Sequence, residues 1–223
     1  MFNKKTTELY GIIGLGRFGY ALAKTLSDEG KDVMVVDRNE DKIQAATAFT
    51  DNAFLVSAPT KEILEEIGIQ NCDTVIVCIG EKIDTSILTT LTVINLGIKR
   101  VISKAISHEQ GSVLRKLGAE VVYPERDMAI RLAHKLLAPN ILEDIELNDE
   151  INITEMKLTE KMGGLSIVDV ELRKNFGLNV IAVKRDGGIT IDIGPTFIFN
   201  KDDEVVLVGK RDNIEKFEKF LTK

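Results

Sequence analysis

With 29 basic and 35 acidic side chains in 223 residues, the chain carries a net charge of −6, which excludes a general electrostatic attraction to nucleic acid or anionic lipid. No apolar run reaches the roughly 18 residues of a membrane helix and no signal-peptide core opens the chain, so a cytoplasmic protein is expected, with any membrane role exercised through a partner. The two cysteines, Cys72 and Cys78, have no CxxC spacing and exclude a redox pair or zinc site; the length fits one larger domain with a smaller one attached.

Residues 9–13 read as a buried strand running into Gly14-Leu15-Gly16-Arg17-Phe18-Gly19, followed by a helix over 18–29. This is the G-x-G-x-x-G fingerprint of dinucleotide binding. Gly14 permits the sharp turn, Gly16 lets backbone approach a pyrophosphate, and Gly19 lets helix and strand pack closely. The first N–H groups of the helix and the positive end of its dipole then face phosphate. A second strand, 32–36, ends at Asp37, whose carboxylate accepts hydrogen bonds from ribose hydroxyls. Arg38 is either a contact for a 2′-phosphate or a solvated loop charge. Because Asp37 repels a 2′-phosphate, an unphosphorylated ribose is expected.

A helix to about residue 49 leads to a third strand, 53–56, and the turn Ser57-Ala58-Pro59-Thr60, then a helix over 61–67. Residues 74–79 form a continuous apolar run, as in a parallel strand covered on both faces, and Gly80 closes it. A helix over 84–96, a strand over 100–103, a helix over 109–117 and a strand over 120–123 follow, and Pro124 stops the last. Six strands alternating with helices imply an α/β protein with a Rossmann-type doubly wound parallel sheet. Ligands of such sheets bind at the carboxyl ends of the strands near the switch point. Gly14 to Gly19, Asp37, Arg38, Ser57, Ala58, Cys78, Ile79 and Gly80 all fall there, although Cys78 also reads as a reduced core thiol. Glu125 opens a helix over 125–137 and is either a solvated first-turn acid or a group facing the site.

The expected domains are 1–138 for the nucleotide-binding lobe, 139–150 for an amphipathic linker and 151–223 for a small α+β lobe. In that lobe 151–157 alternates apolar and polar, 180–193 reads as a hairpin turning at 186–188, 204–208 as a strand and 213–221 as a closing helix. A dehydrogenase needs a proton relay opposite the nicotinamide. The only histidines are His108, which begins a helix, and His134, mid-helix at a surface or interface spacing. A sensor whose nucleotide biases two conformations is therefore favoured over the rival reading, a small NAD-dependent oxidoreductase. A redox-sensing transcription factor would need a basic winged-helix segment, which the chain does not offer.

The segments Gly14-Leu15-Gly16-Arg17-Phe18-Gly19, Ile83-Asp84-Thr85-Ser86-Ile87-Leu88-Thr89-Thr90-Leu91, Lys104-Ala105 and Tyr123-Pro124-Glu125-Arg126-Asp127-Met128-Ala129 resemble the RCK domains of bacterial potassium-uptake regulators of the Ktr and Trk type. The resemblance covers essentially the whole chain. It implies dimers assembled into an octameric gating ring that binds ATP or ADP, sometimes NAD, beneath a membrane potassium transporter of the KtrB/TrkH type. It implies that Arg17 reaches the terminal phosphate of a nucleotide in a neighbouring subunit and that Lys104 lies near the base or phosphates. It further implies that Glu125 sits near those phosphates at a dimer interface, where a Mg, Ca or Na ion is held. In the small lobe it implies a cyclic di-AMP pocket lined by Leu165, Ile167, Arg173, Asn179 and Pro195, plain dimer packing being the alternative. Two stretches depart from the family pattern, Ser57-Ala58-Pro59-Thr60 after the third strand and Ile106-Ser107-His108 after Lys104-Ala105.

Overall fold

The computed structural model describes residues 8–222, and the chain divides into two compact units after Met128. In the N-terminal unit β1 (Leu9–Ile13), α1 (Arg17–Asp28), β2 (Asp32–Asp37), α2 (Glu40–Ala46), β3 (Asn52–Leu55), α3 (Lys61–Glu66), β4 (Thr74–Val77), α4 (Ile83–Asn95), β5 (Arg100–Lys104), α5 (His108–Leu117) and β6 (Glu120–Val122) follow in order. The six strands form one parallel sheet, ordered β3-β2-β1-β4-β5-β6. The order reverses beside β1, whose neighbours are β2 on one side and β4 on the other, so the switch point lies at the carboxyl end of β1.

The strands are apolar on both faces because helices cover both. All four residues of β4 are buried, as are five of the six in β2. One layer of core gathers Ile13, Val36, Val75, Val77, Leu64 and Val93, and the other gathers Ile12, Val33, Val35, Ile76, Ala23 and Leu15. Burying an aliphatic side chain of this kind contributes about 1.5–3 kcal/mol, so the alternation of side chains through the sheet stabilises both layers at once.

Several boundaries differ from the sequence reading for local reasons. Helix α2 stops at Ala46, because Thr47 turns its hydroxyl back onto the Gln44 carbonyl and the chain bends before Phe49. β4 ends at Val77. The Cys78 N–H still bonds the Ile13 carbonyl at 2.7 Å, but residues 78–80 then leave the sheet. β5 runs one residue further than expected and places Lys104 at its carboxyl end.

Helix α6 (Pro124–Leu137) follows β6 and carries the chain past Met128. The C-terminal unit adds β7 (Ile141–Glu146), β8 (Ile151–Lys157), α7 (Ile167–Val170), α8 (Leu172–Phe176), β9 (Asn179–Arg185), β10 (Gly188–Thr190), β11 (Glu204–Lys210) and α9 (Arg211–Thr222). Its antiparallel sheet is ordered β10-β9-β11-β8-β7, with Met156, Leu207, Phe199, Phe217 and Leu178 in its core. The stretch expected as an amphipathic linker is therefore an edge strand, β7. Asp144 anchors it to β8 by accepting Asn152 Nδ2 at 2.7 Å and Thr154 Oγ1 at 2.5 Å. Helices α7 and α8 were not legible in the sequence, since one turn of helix shows no 3.6-residue period; Ser166 and Asp169 form a capping box at the start of α7. The expected hairpin is present, turning at Asp186-Gly187, both at positive φ as a type I′ turn requires.

Candidate functional site

The crevice is built by the loops that leave the carboxyl ends of β1, β2, β3, β4 and β5. Gly14, at φ +102°, makes the turn out of β1, and its N–H bonds the Val36 carbonyl at 2.7 Å, tying that turn to β2. Gly19, in the first turn of α1, is packed so closely that an added Cβ would drive into the Gly14 carbonyl oxygen and stand 3.1 Å from Cys78 Cβ. Gly16 is the opposite case: nothing lies within 4 Å of where its Cβ would be. Backbone is thus exposed to the crevice at Gly16 and locked behind it at Gly19.

The helix starts around the crevice differ in a way that bears on ligand chemistry. Asn39, Thr60 and Ser107 cap α2, α3 and α5 by accepting the Lys42, Ile63 and Gln110 N–H groups. Helix α1 starts from Gly16 with no side-chain cap and no acid in its first turn. Its first N–H groups and its dipole are left to an anion from outside the helix.

Asp37 is 9% exposed and holds the opposite wall. One carboxylate oxygen accepts the Leu15 N–H at 2.5 Å and lies 3.8 Å from Lys42 Nζ; the other accepts the Asn39 N–H at 2.9 Å. The side chain is therefore fixed by backbone donors, with lone-pair capacity left for further donors. Arg38 also lines this side and pairs at 3.9 Å with Glu81, both well exposed.

The third wall is Lys104 and Glu125. Lys104 Nζ donates to Glu125 Oε1 at 2.5 Å, the lysine side chain being 11% exposed and the glutamate 63%. That hydrogen bond, chiefly, holds the Glu125 carboxyl below its ordinary range, and the Arg17 charge acts in the same direction. Behind Lys104 lies a buried polar network. The Gln110 side chain accepts the Ile106 N–H at 2.9 Å and donates to Ser86 Oγ at 3.1 Å, and Thr90 and Ser103 hydroxyls meet at 3.0 Å. It joins the Lys104–Ile106 wall to α4. Burial pushes the Cys78 thiol up to about 12, so it stays protonated and unreactive, as a core thiol would.

These walls enclose a cavity of about 650 Å³. It is lined by Gly14, Gly16, Arg17, Phe18, Asp37, Arg38, Ser57, Ala58, Cys78, Ile79, Gly80, Lys104 and Glu125 among the residues singled out from sequence. Leu15 and Gly19 are not on its surface: Leu15 is a buried core residue that reaches the site only through its N–H, and Gly19 packs behind Gly14. Lys42, Lys82 and Thr85 also line it and were not singled out, although their places at the start of α2 and α4, just after strands β2 and β4, were a readable signal. Among the described residues no three His, Cys, Asp or Glu side chains converge as a metal set, and Lys104 holds the Glu125 carboxylate. In the C-terminal unit Ile167 opens α7, Arg173 lies in α8, Asn179 opens β9, Leu165 is part-exposed and the Pro195 carbonyl accepts the Val168 N–H.

A glycine loop at the switch point of a doubly wound parallel sheet, an uncapped helix start and a terminal acid on the neighbouring strand define a Rossmann-type unit. The TrkA-N domain model matches residues 10–124 and the TrkA-C domain model residues 153–222. Ktr system potassium uptake protein C of Bacillus subtilis is 36% identical over 211 residues, 94% of this chain and 96% of that protein; protein A of the same organism is 36% identical over 210 residues, 94% and 95% of the two chains. In structure the chain resembles the GsuK channel bound to NAD, with TM-score 0.54 at 23% identity, covering 97% of this chain and 39% of the channel. The chain belongs to the family of Ktr and Trk potassium-uptake proteins, built from a TrkA-N and a TrkA-C domain.

Proposed function

We propose that the protein is the nucleotide-sensing regulatory subunit of a membrane potassium transporter, with an adenine nucleotide in the N-terminal cavity biasing the shape of a ring of subunits. One observation carries the ligand class: the cavity exposes backbone at Gly16 and an uncapped helix start on one side and the buried, backbone-anchored Asp37 on the other. The first pair suits phosphate and the second a ribose diol. The fit is to ATP, ADP or NAD; cyclic di-AMP remains a candidate for the C-terminal unit. Full-length likeness to Ktr uptake proteins supports the transporter role, with a KtrB/TrkH-type membrane subunit as partner and dimers forming an octamer as the assembly.

No helix among the described residues is long and apolar enough to cross a membrane, so the reading has the protein act on the transporter from the cytoplasmic side. Neither His108 nor His134 is among the cavity-lining residues, which favours binding over hydride-transfer chemistry. When bound, the nucleotide would supply differential affinity for two ring states, and only that difference moves the equilibrium. Gly16, Arg17 and Lys104 would hold its phosphates and Asp37 its ribose. Titration calorimetry with ATP, ADP and NAD, with and without Mg²⁺ or Ca²⁺, alongside light scattering, tests the reading, and a cyclic di-AMP titration of the same sample tests the C-terminal unit. An octamer-sized particle that binds adenine nucleotides tightly supports it. A dimer that turns over NAD with a small alcohol or acid overturns it.

A further inference from the structure

The charges that line the N-terminal cavity do not balance. Five cations line it, Arg17, Arg38, Lys42, Lys82 and Lys104, against three acids, Asp37, Glu81 and Glu125. Each acid is matched: Lys42 Nζ lies 3.8 Å from Asp37, Arg38 lies 3.9 Å from Glu81, and Lys104 holds Glu125 at 2.5 Å. Arg17 and Lys82 are left over, with no ion pair among the described residues. The cavity wall is therefore cationic in a chain whose net charge is −6. A surplus of that sign in a concave site favours a ligand with more than one negative charge. Arg17 already has a proposed place at the phosphates; Lys82 has none. It follows Gly80 and Glu81 and is the N-cap residue of α4. That turn adjoins the Lys104 wall, since a Gly80 Cβ would stand 3.5 Å from Lys104 Nζ. Thr85, at the N3 position that adjoins an N-cap, lines the cavity as well. Its hydroxyl donates only to Asp84, at 3.4 Å, which is long for such a bond. Exposed lysines are common. This one differs in having a cavity beside it, a hydroxyl donor in the same turn and no carboxylate to satisfy it.

We propose that Lys82 and Thr85 are a further phosphate contact of this cavity, a cation and a hydroxyl donor that the first turn of α4 adds to Gly16 and Lys104. The inference rests on the nucleotide reading above and deepens it. The phosphate they meet is an inner one, shared by ADP and ATP, and the Lys104–Glu125 pair keeps its place beside it. A lysine suits the task. Its three donors on a flexible four-carbon stem reach an anion that arrives later, at the cost of ordering that stem. A nucleoside without phosphate offers these two side chains nothing to hold.

The test is calorimetry on the full chain with ADP, ATP and adenosine. Lys82→Gln should weaken ADP and ATP alike, by about 5- to 30-fold, and leave adenosine unchanged; that is the size of a charge-assisted hydrogen bond discounted for exposure. Lys82→Arg should recover most of the loss, because it returns the positive charge on a long, flexible stem. Thr85→Val removes only the hydroxyl and should weaken ADP about 3- to 10-fold, with adenosine again unchanged. Neither side chain belongs to the buried core, so the variants should melt close to wild type and be compared as folded protein. Unchanged ADP binding in Lys82→Gln or in Thr85→Val overturns the assignment. So does an equal loss for adenosine, which would make the pair a support of the α4 start and not a phosphate contact. A wild-type chain that binds neither ADP nor adenosine overturns the nucleotide reading itself, and this contact with it.

Discussion

Asp37 Oδ2 accepts the N–H of Leu15 at 2.5 Å, so the acid at the end of β2 is bonded to the glycine loop that leaves β1. Substituting Asp37 therefore has two effects that different variants separate. Asp37→Ala strands a buried N–H and removes the ribose acceptor; it should lower stability by about 1–3 kcal/mol and adenine-nucleotide affinity by about 1.5–3 kcal/mol. Asp37→Asn keeps an acceptor for Leu15 but sets an amide NH2 against the Asn39 N–H, so its melting temperature should fall less than that of Asp37→Ala while affinity still falls. Thermal denaturation beside calorimetry on both variants separates the roles, and unchanged affinity in both would remove Asp37 from the ribose site.

The glycines of the loop should also part company. Gly19→Ala forces a Cβ against the Gly14 carbonyl, which is backbone and cannot rotate away, so a loss of about 1–3 kcal/mol in chemical denaturation is expected. Gly16→Ala has open space around the new methyl and should cost under about 1 kcal/mol, the lesser fitness of alanine as an N-cap, while nucleotide binding should drop sharply if backbone here meets phosphate as proposed. Equal stability losses in the two variants would contradict the packing described here.

The N-terminal unit was legible because its signals are physical constraints repeated along the chain. A parallel strand covered on both faces must be apolar throughout, and the fingerprint glycines have no other residue that fits Gly14 and Gly19. Two kinds of feature were hidden. β7 carries Ile141 and Ile145 on an exposed edge strand, where polar neighbours blur the period of two. The Lys104–Glu125 contact joins residues 21 apart on separate elements, so their proximity comes from sheet order and not from any local pattern. Leu15 shows the converse: the motif named it, yet only its backbone takes part.

In the C-terminal unit the Arg185 guanidinium grips Asp203 through two bonds of 2.7 Å, and the Asn200 N–H adds a third at 2.8 Å. Burial pushes the Asp203 carboxyl up, but these donors outweigh it and hold the group below its ordinary range. A depressed folded value means the pair stabilises fully above the unfolded carboxyl pKa of about 3.9 and that this contribution is lost as pH falls through the lower, folded value. Arg185→Met leaves the Asp203 side chain, 1% exposed, without its partner. Its cost should be about 2–4 kcal/mol near neutral pH, somewhat under a fully buried pair because Arg185 is 38% exposed. Denaturant titrations at pH 7 and below pH 4 should show the wild-type advantage shrinking in acid; a constant difference would sink the assignment.

Arg17 is the first residue of α1, exposed at the cavity mouth, and its charge reaches Glu125. Gly16 and the helix start are the proposed seat of the inner phosphates, and Arg17 lines the cavity one residue further on. If it meets the terminal phosphate of a nucleotide in a neighbouring subunit, as the family resemblance implies, Arg17→Ala should leave most ADP affinity intact and erase the preference for ATP. A charge-assisted contact of this kind is worth about 1.5–3 kcal/mol, or roughly a tenfold to hundredfold change in the ATP-to-ADP affinity ratio. The ratio is the informative quantity, because a general loosening of the loop weakens both ligands alike and leaves it unchanged. Lys104→Gln provides the contrast: it should weaken ADP as well, since it lies at the end of β5, inside the cavity and not at its mouth. Should Arg17→Ala weaken ATP and ADP equally, Arg17 is a clamp for any polyphosphate, and discrimination between the two nucleotides has to come from elsewhere in the assembled ring.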